Sequence, residues 1–338
     1  DGGSSKSGFG VEGKGSAGES GFSVEEKGDA GNSGYMNVTA QNFFAGYDAG
    51  KSTTPNGVIN SATSIGVNNT FVGNNAGLSN TTGKANVFVG YNAGKSNKTG
   101  NYNVMLGNEA GYSNTTGSNN LFIGHVSGYT NQTGNNNFFA GDSAGYSNTV
   151  SNNMFVGYGA GRKNESGVHN QFIGYQAGYS NFCGYYDFFA GYQAGYSNYS
   201  GDNNMFVGYQ AGYKNKTGFN NMFVGNSAGY KNTASNNMFL GYFAGYNNTT
   251  GRQNQFMGYN AGYSNTTGSN NLFIGYRSGY SNQTGGNNMF VGDSAGCKNT
   301  ASNNLFLGFK AGALNTSGTN NQFMGYNAGY SNTTGSNN

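Results

Sequence analysis

A Phe followed by an aliphatic residue and a Gly returns along most of this chain at a nearly fixed interval. Residues 203–218, Asn-Asn-Met-Phe-Val-Gly-Tyr-Gln-Ala-Gly-Tyr-Lys-Asn-Lys-Thr-Gly, are one complete copy. The Phe recurs at Phe71, Phe88, Phe122, Phe155, Phe206, Phe256 and Phe323, among others, and Met105 replaces it once. Successive copies are 17 residues apart, or 16 where Thr-Val-Ser or Thr-Ala-Ser shortens the loop. A fixed period of this size predicts a solenoid, which grows by adding coils and not by starting new cores.

With the Phe counted as zero, each position of the copy has its own character. Position +1 is aliphatic or Ala, +2 and +6 are Gly, +5 is Ala or Ser, and +9 is Asn from Asn80 through Asn114, Asn215 and Asn265 to Asn332. Position −2 is Asn except at Asp187. A short strand around the Phe explains the β-branched and aromatic enrichment. Two Gly in every copy exclude a helix, at a cost of about 1 kcal/mol per Gly. They mark positive φ or a stacking distance too short for a Cβ. The Asn columns suit tight corners and, stacked coil on coil, amide ladders. The expected fold is therefore all-β, a parallel β-solenoid (β-roll) of 16–17-residue coils. Each coil has two short strands, at −1 to +1 and +5 to +8, and neighbouring coils lie about 4.8 Å apart.

Both faces of the Phe strand read as apolar, because −1 is usually apolar, with Thr70, Gln171, Gln255 and Gln322 as exceptions, and +1 is always apolar. Burial on both sides is the usual meaning. Another chain, or a packed second layer of the same one, is expected to cover the strand.

Three segments are distinguished. Residues 1–40 are Gly-rich and place an aromatic every 13 residues, which suggests shorter coils. Residues 41–70 hold a first coil and an irregular insertion with the only proline, Pro55, and with Ile59 and Ile65 expected beneath it. Residues 71–338 are regular repeats. The chain starts at Asp1 without Met, as a processed product or fragment would, and its last copy reads as an unfinished repeat, which suggests end-to-end polymerisation.

Composition sharpens the picture. Only 9% of the 338 residues are charged and 62 are Gly, yet 25 Phe and 26 Tyr stand in register, which builds a core where a low-complexity chain would not. A net charge of +3 is too weak to argue for nucleic acid. Residues 1–30 carry a balance of −3 and the remainder +6. No apolar run is long enough to insert in a membrane. Cys183 and Cys297 fit neither a metal site nor a disulfide framework.

Catalytic chemistry is not visible. His125 and His169 lie at unlike positions in different coils, and Asp142 and Asp293 share position +3 but are nine coils apart. No enzyme, cofactor or metal is expected. Tyr columns stand at +3 and at +7, the latter including Tyr112, Tyr146, Tyr179, Tyr196 and Tyr213. They either cover the Gly-rich backbone or form a surface aromatic strip. Many loops also read as glycosylation sequons, such as Asn80-Thr81-Thr82, which an Asn/Thr-rich turn produces without glycosylation.

The step Asn204-Met205-Phe206-Val207-Gly208 resembles the Ser-Val-Ala-Ile-Gly motif of trimeric autotransporter adhesin heads. Similar repeats occur in bacterial surface and phage tail-fibre-like proteins. The adhesin repeat is nearer fourteen residues, and the family's stalk and anchor are not found in this sequence. The resemblance implies an extracellular or cell-surface structural protein that assembles with itself into a fibre or adhesin, with glycans or host surfaces as further partners. A glycan- or ice-binding rod is the alternative. Position +11, which reads Thr82, Thr99, Thr116, Thr133, Val150, Ser166 and Cys183, is too irregular for an ice-binding Thr ladder.

Overall fold

The structure, a computed structural model, describes residues 9–12, 22–26, 35–56 and 64–338. It is an all-β parallel solenoid with no helix among the described residues. The chain divides into two compact units, Asp1–Gly159 and Ala160–Asn338. In the first, coils stack from β4 (Asn42–Ala45) through β5 (Asn69–Val72) and β6 (Val87–Val89) to β10 (Met154–Val156). In the second they run from β11 (Gln171–Ile173) to β20 (Gln322–Met324). Neighbouring coils pair in parallel with like residue on like, Phe44 on Phe71 and Phe206 on Phe223.

Each coil has one strand, of four residues in β4 and β5 and of three from β6 on, in place of the two expected. The stretch from +3 to +8 is a chain of tight turns, because φ is positive at +2, +4 and +6: 133° at Gly208, 51° at Gln210 and 61° at Gly212. An extended strand cannot accommodate that alternation. Coil-to-coil pairing nevertheless continues through the turns. Gly212 N donates to Ala228 O at 3.0 Å and Lys214 N to Tyr230 O at 2.9 Å, while Gln210 N reaches back to Tyr192 O at 2.8 Å. The backbone is thus satisfied along the stacking direction without a second strand.

Both readings of the glycines hold at once. A Cβ on Gly208 would lie 2.5 Å from Gly225 O in the next coil, and one on Gly212 would lie 2.5 Å from the Phe206 ring. The corner Asn is a different one from those expected. Positive φ falls at −3, as in Asn203 (56°), and not at −2 or +9, whose side chains point inward.

Residues 1–40 differ from the expectation of short coils. Strands β1 (Phe9–Glu12), β2 (Phe22–Glu26) and β3 (Tyr35–Val38) pair antiparallel with one another, and β3 pairs antiparallel with β4. A 13-residue recurrence fixes how often a strand returns, not its direction. These copies also lack the +2 Gly and the −2 and +9 Asn of the coils. The reversal into β4 is a Thr turn in which Thr39 Oγ1 accepts the Gln41 and Asn42 amides at 3.2 and 2.9 Å.

In the insertion, Asn56 and Ile65 form an antiparallel bridge. Ile65 is exposed, contrary to its expected burial, since the bridge holds it outside the coil. Ile59 lies outside the described residues.

Candidate functional site

The interior of a coil holds four side chains: the Phe, the +5 Ala or Ser, and the Asn at −2 and +9. Phe71, Phe88, Phe122, Phe155, Phe206 and Phe256 are fully buried. Where neighbouring Phe stack, ring centroids lie 4.7–5.2 Å apart, as between Phe71 and Phe88 and between Phe306 and Phe323. Phe323 is half-buried. Half of the core columns are therefore amides, which burial permits only with every hydrogen bond made.

The ladders supply those bonds. At +9, Asn97 Nδ2 donates to Asn80 Oδ1 and Asn114 Nδ2 to Asn97 Oδ1, each at 2.8 Å. In the second unit Asn215, Asn265 and Asn332 do the same to the Asn before them, at 3.1, 2.7 and 2.8 Å. The other Nδ2 proton goes to the Gly carbonyl three residues on, as from Asn215 to Gly218 at 2.9 Å. At −2, Asn86 Nδ2 donates to Gly100 O at 2.8 Å, and Asn69 Oδ1 accepts the Asn86 amide at 3.0 Å.

Two of the three 16-residue coils interrupt the +9 ladder, whereas in the other Asn232 Nδ2 still reaches Asn215 Oδ1 at 3.5 Å. The shorter loop turns Asn148 and Asn299 onto the carbonyls of Val150 and Ala301, at 2.7 Å. Asn131 Oδ1 and Asn282 Oδ1, one coil earlier, are left buried without a partner.

Asn68 at −3 and Asn247 at +8 begin sequons that are exposed and half-buried, whereas the other sequon Asn of the repeats, Asn80 and Asn198 among them, are these same +9 residues and are buried in every coil but the last. In the folded chain the buried amides are closed to glycosylation.

Asp187 replaces Asn at −2. Its carboxylate accepts the Asn204 amide at 2.8 Å, Asn204 Nδ2 at 3.2 Å and Asn198 Nδ2 at 3.0 Å. Burial pushes its pKa well above the ordinary carboxylate range, against the pull of those donors. The unfolded chain ionises near pH 3.9, while the buried group holds its proton to higher pH. Stability from this group is therefore full below pH 3.9 and is lost as pH rises through the folded pKa. Asp187→Asn is expected to raise stability at pH 7 by on the order of 1–3 kcal/mol, with the gain shrinking toward pH 3. Thermal melts of both proteins across that range check the sign.

Outside the core, the +7 rings form columns. Tyr112, Tyr129 and Tyr146 stack at 5.0 and 5.1 Å in the first unit. Tyr179, Tyr196, Tyr213 and Tyr230 stack at 5.1–5.2 Å in the second. The +3 column is more open, with Tyr175, Tyr192 and Tyr209 stacked at 5.1 and 5.2 Å. Ring planes lie 3–9° from parallel in these columns, and at 11° between Tyr112 and Tyr129, so the ring faces are spent on one another. Such a column covers the backbone and offers no flat platform to a sugar.

The −1 and +1 side chains share the outward face of the Phe strand. They are only half covered, with Val89 at 38%, Met205 at 39% and Met289 at 42% exposure. Among the described residues no second layer lies over them. Beside the −1 column of the second unit runs a groove of about 770 Å³. Met205, Met222 and Met238 form one side and the −3 amides Asn203, Asn220 and Asn236 the other. The −3 column was missed in the sequence, although its signal, the doubled Asn before most strands, was present.

His125 Nδ1 lies 3.3 Å from Asp142 Oδ2 on the next coil, an exposed pair of the kind that contributes little. Cys183 and Cys297 are free, and burial raises both thiol pKa values, which favours inert thiols. No cluster of metal-ligating side chains and no helix long and apolar enough to cross a membrane occurs among the described residues. No known family model, curated protein or solved structure matches the chain.

Proposed function

We propose that this chain is a structural β-solenoid that assembles with copies of itself, as part of an extracellular fibre or surface adhesin. The observation that carries this reading is the outward face of the Phe strand. Between β5 and β20 the +1 position holds no polar or charged residue, and it remains partly exposed in both units. Contiguous apolar surface of this kind marks an interaction site. A partner in regular contact along it must repeat once per coil, at the 4.8 Å spacing of the Phe rings. A second copy of this chain meets that condition. The similarity of the repeat step to the heads of trimeric adhesins supports the same reading.

Lysine at two +1 positions, Val224→Lys with Leu240→Lys, tests it. Sedimentation velocity is expected to show the parent protein as oligomers or filaments and the double variant shifted to monomer, with an unchanged circular dichroism spectrum. A parent that stays monomeric at every concentration tested would reject assembly through this face.

A further inference from the structure

We infer that the groove beside the Met column of the second unit is a binding site for a neutral, linear, β-linked oligosaccharide. The inference goes beyond self-assembly and uses the opposite flank of the −1 column from the +1 side chains.

The groove has two unlike walls and a distinct end. One wall is apolar, the thioethers of Met205, Met222 and Met238, which adapt to irregular surfaces. The facing wall is a row of exposed amides, Asn203, Asn220 and Asn236, continued by Gln253. A single long rung bond, 3.3 Å from Asn220 Nδ2 to Asn236 Oδ1, joins members of this row. Each amide offers both donors and an acceptor. A pyranose presents the matching pair of surfaces, apolar C–H faces and a hydroxyl edge.

The end of the groove is Tyr186, 60% exposed and held at a φ of 57° in the place where most coils put Asn. A bulky residue in the left-handed region is strained. One face of its ring stacks on His169, with centroids 5.0 Å apart and planes 1° from parallel. The next residue of its column is Asn203, so no third ring continues the stack, and the exposed ring suits a terminal sugar.

Charge and period select the ligand. No residue lining the groove is charged, so a polyanionic chain finds no counter-charge there. The lining repeats once per coil, at the 4.8 Å spacing of the Phe rings. One sugar of an extended β-linked chain advances by nearly the same distance, whereas an extended peptide advances about 3.3 Å per residue and falls out of step. Five successive coils line the site, from Phe188 to Gln255.

The test is calorimetric titration of the intact protein with cello-, chito- and xylo-oligosaccharides of two to five sugars. Affinity is expected to rise at least tenfold from disaccharide to pentasaccharide for one of these series. Tyr186→Ala is expected to weaken the pentasaccharide at least tenfold. Asn220→Asp, a near-isosteric change on the surface, is expected to weaken it severalfold, with melting temperature unchanged in both variants. No binding by any series, equal binding by both variants, or tighter binding of a uronic-acid oligomer would each overturn the inference. The Val224→Lys, Leu240→Lys protein separates the two proposals, since it is expected to lose assembly and keep sugar binding.

Discussion

Gly208→Ala is expected to destabilise the second unit by about 2–6 kcal/mol, from overpacking and backbone strain together. The residue sits at φ 133°, a region that L side chains rarely adopt, and its Cβ would lie 2.5 Å from the carbonyl oxygen of Gly225. That oxygen cannot retreat freely. A Cβ on Gly225 would itself collide with Gly241 O, so each coil is already seated against the next at this column. Gly325 provides the control, because its φ is 124° but nothing lies within 4 Å of its would-be Cβ. Gly325→Ala is expected to cost only the conformational part, about 1–3 kcal/mol. Urea unfolding of the two variants should separate close stacking from backbone strain. Equal midpoints would show that coil-to-coil approach is not what the glycine serves.

Phe206→Ala is expected to cost about 3–5 kcal/mol. The ring is fully buried between Phe189 and Phe223, each 4.8 Å away, and its edge packs on Gly212. The cavity cannot collapse, because the neighbouring rings are fixed by their own strands. Phe206→Met should cost much less, since Met105 fills the same column between Phe88 and Phe122 and is equally buried. Stability in a solenoid is a sum over coils and their contacts. The loss should therefore appear in hydrogen exchange as weakened protection at coils 189–223, with distant coils unchanged.

The Phe strand and the coil period were legible in the sequence because each depends on one residue type repeated at one position. The amide ladders were legible for the same reason, from Asn80 to Asn332. The second strand was misread because its obstacle does not show in composition. Position +4 is Gln210, Asn92 or Lys310 in different coils, yet its φ is 51–55° in all three. Neighbouring glycines and the hydrogen bonds of adjacent coils impose that conformation on whatever residue is there. Direction was equally hidden in residues 1–40, where an aromatic every 13 residues suits antiparallel strands as well as coils. The unpartnered oxygens of Asn131 and Asn282 follow from a one-residue deletion in the next loop, visible as spacing but not as a broken bond. The groove depends on the corner at −3, which turns one Asn outward while its neighbour at −2 turns in. The doubled Asn announces both residues and distinguishes neither.

Side-chain amide exchange in protein labelled with ¹⁵N at asparagine tests the central claim, that buried amide ladders join the coils. The account predicts two pools. The −2 and +9 amides, buried and bonded coil to coil as in Asn97 to Asn80, should exchange slowly, and the exposed −3 amides such as Asn203 should exchange at the rate of free asparagine. A single fast pool covering all the asparagines would contradict it.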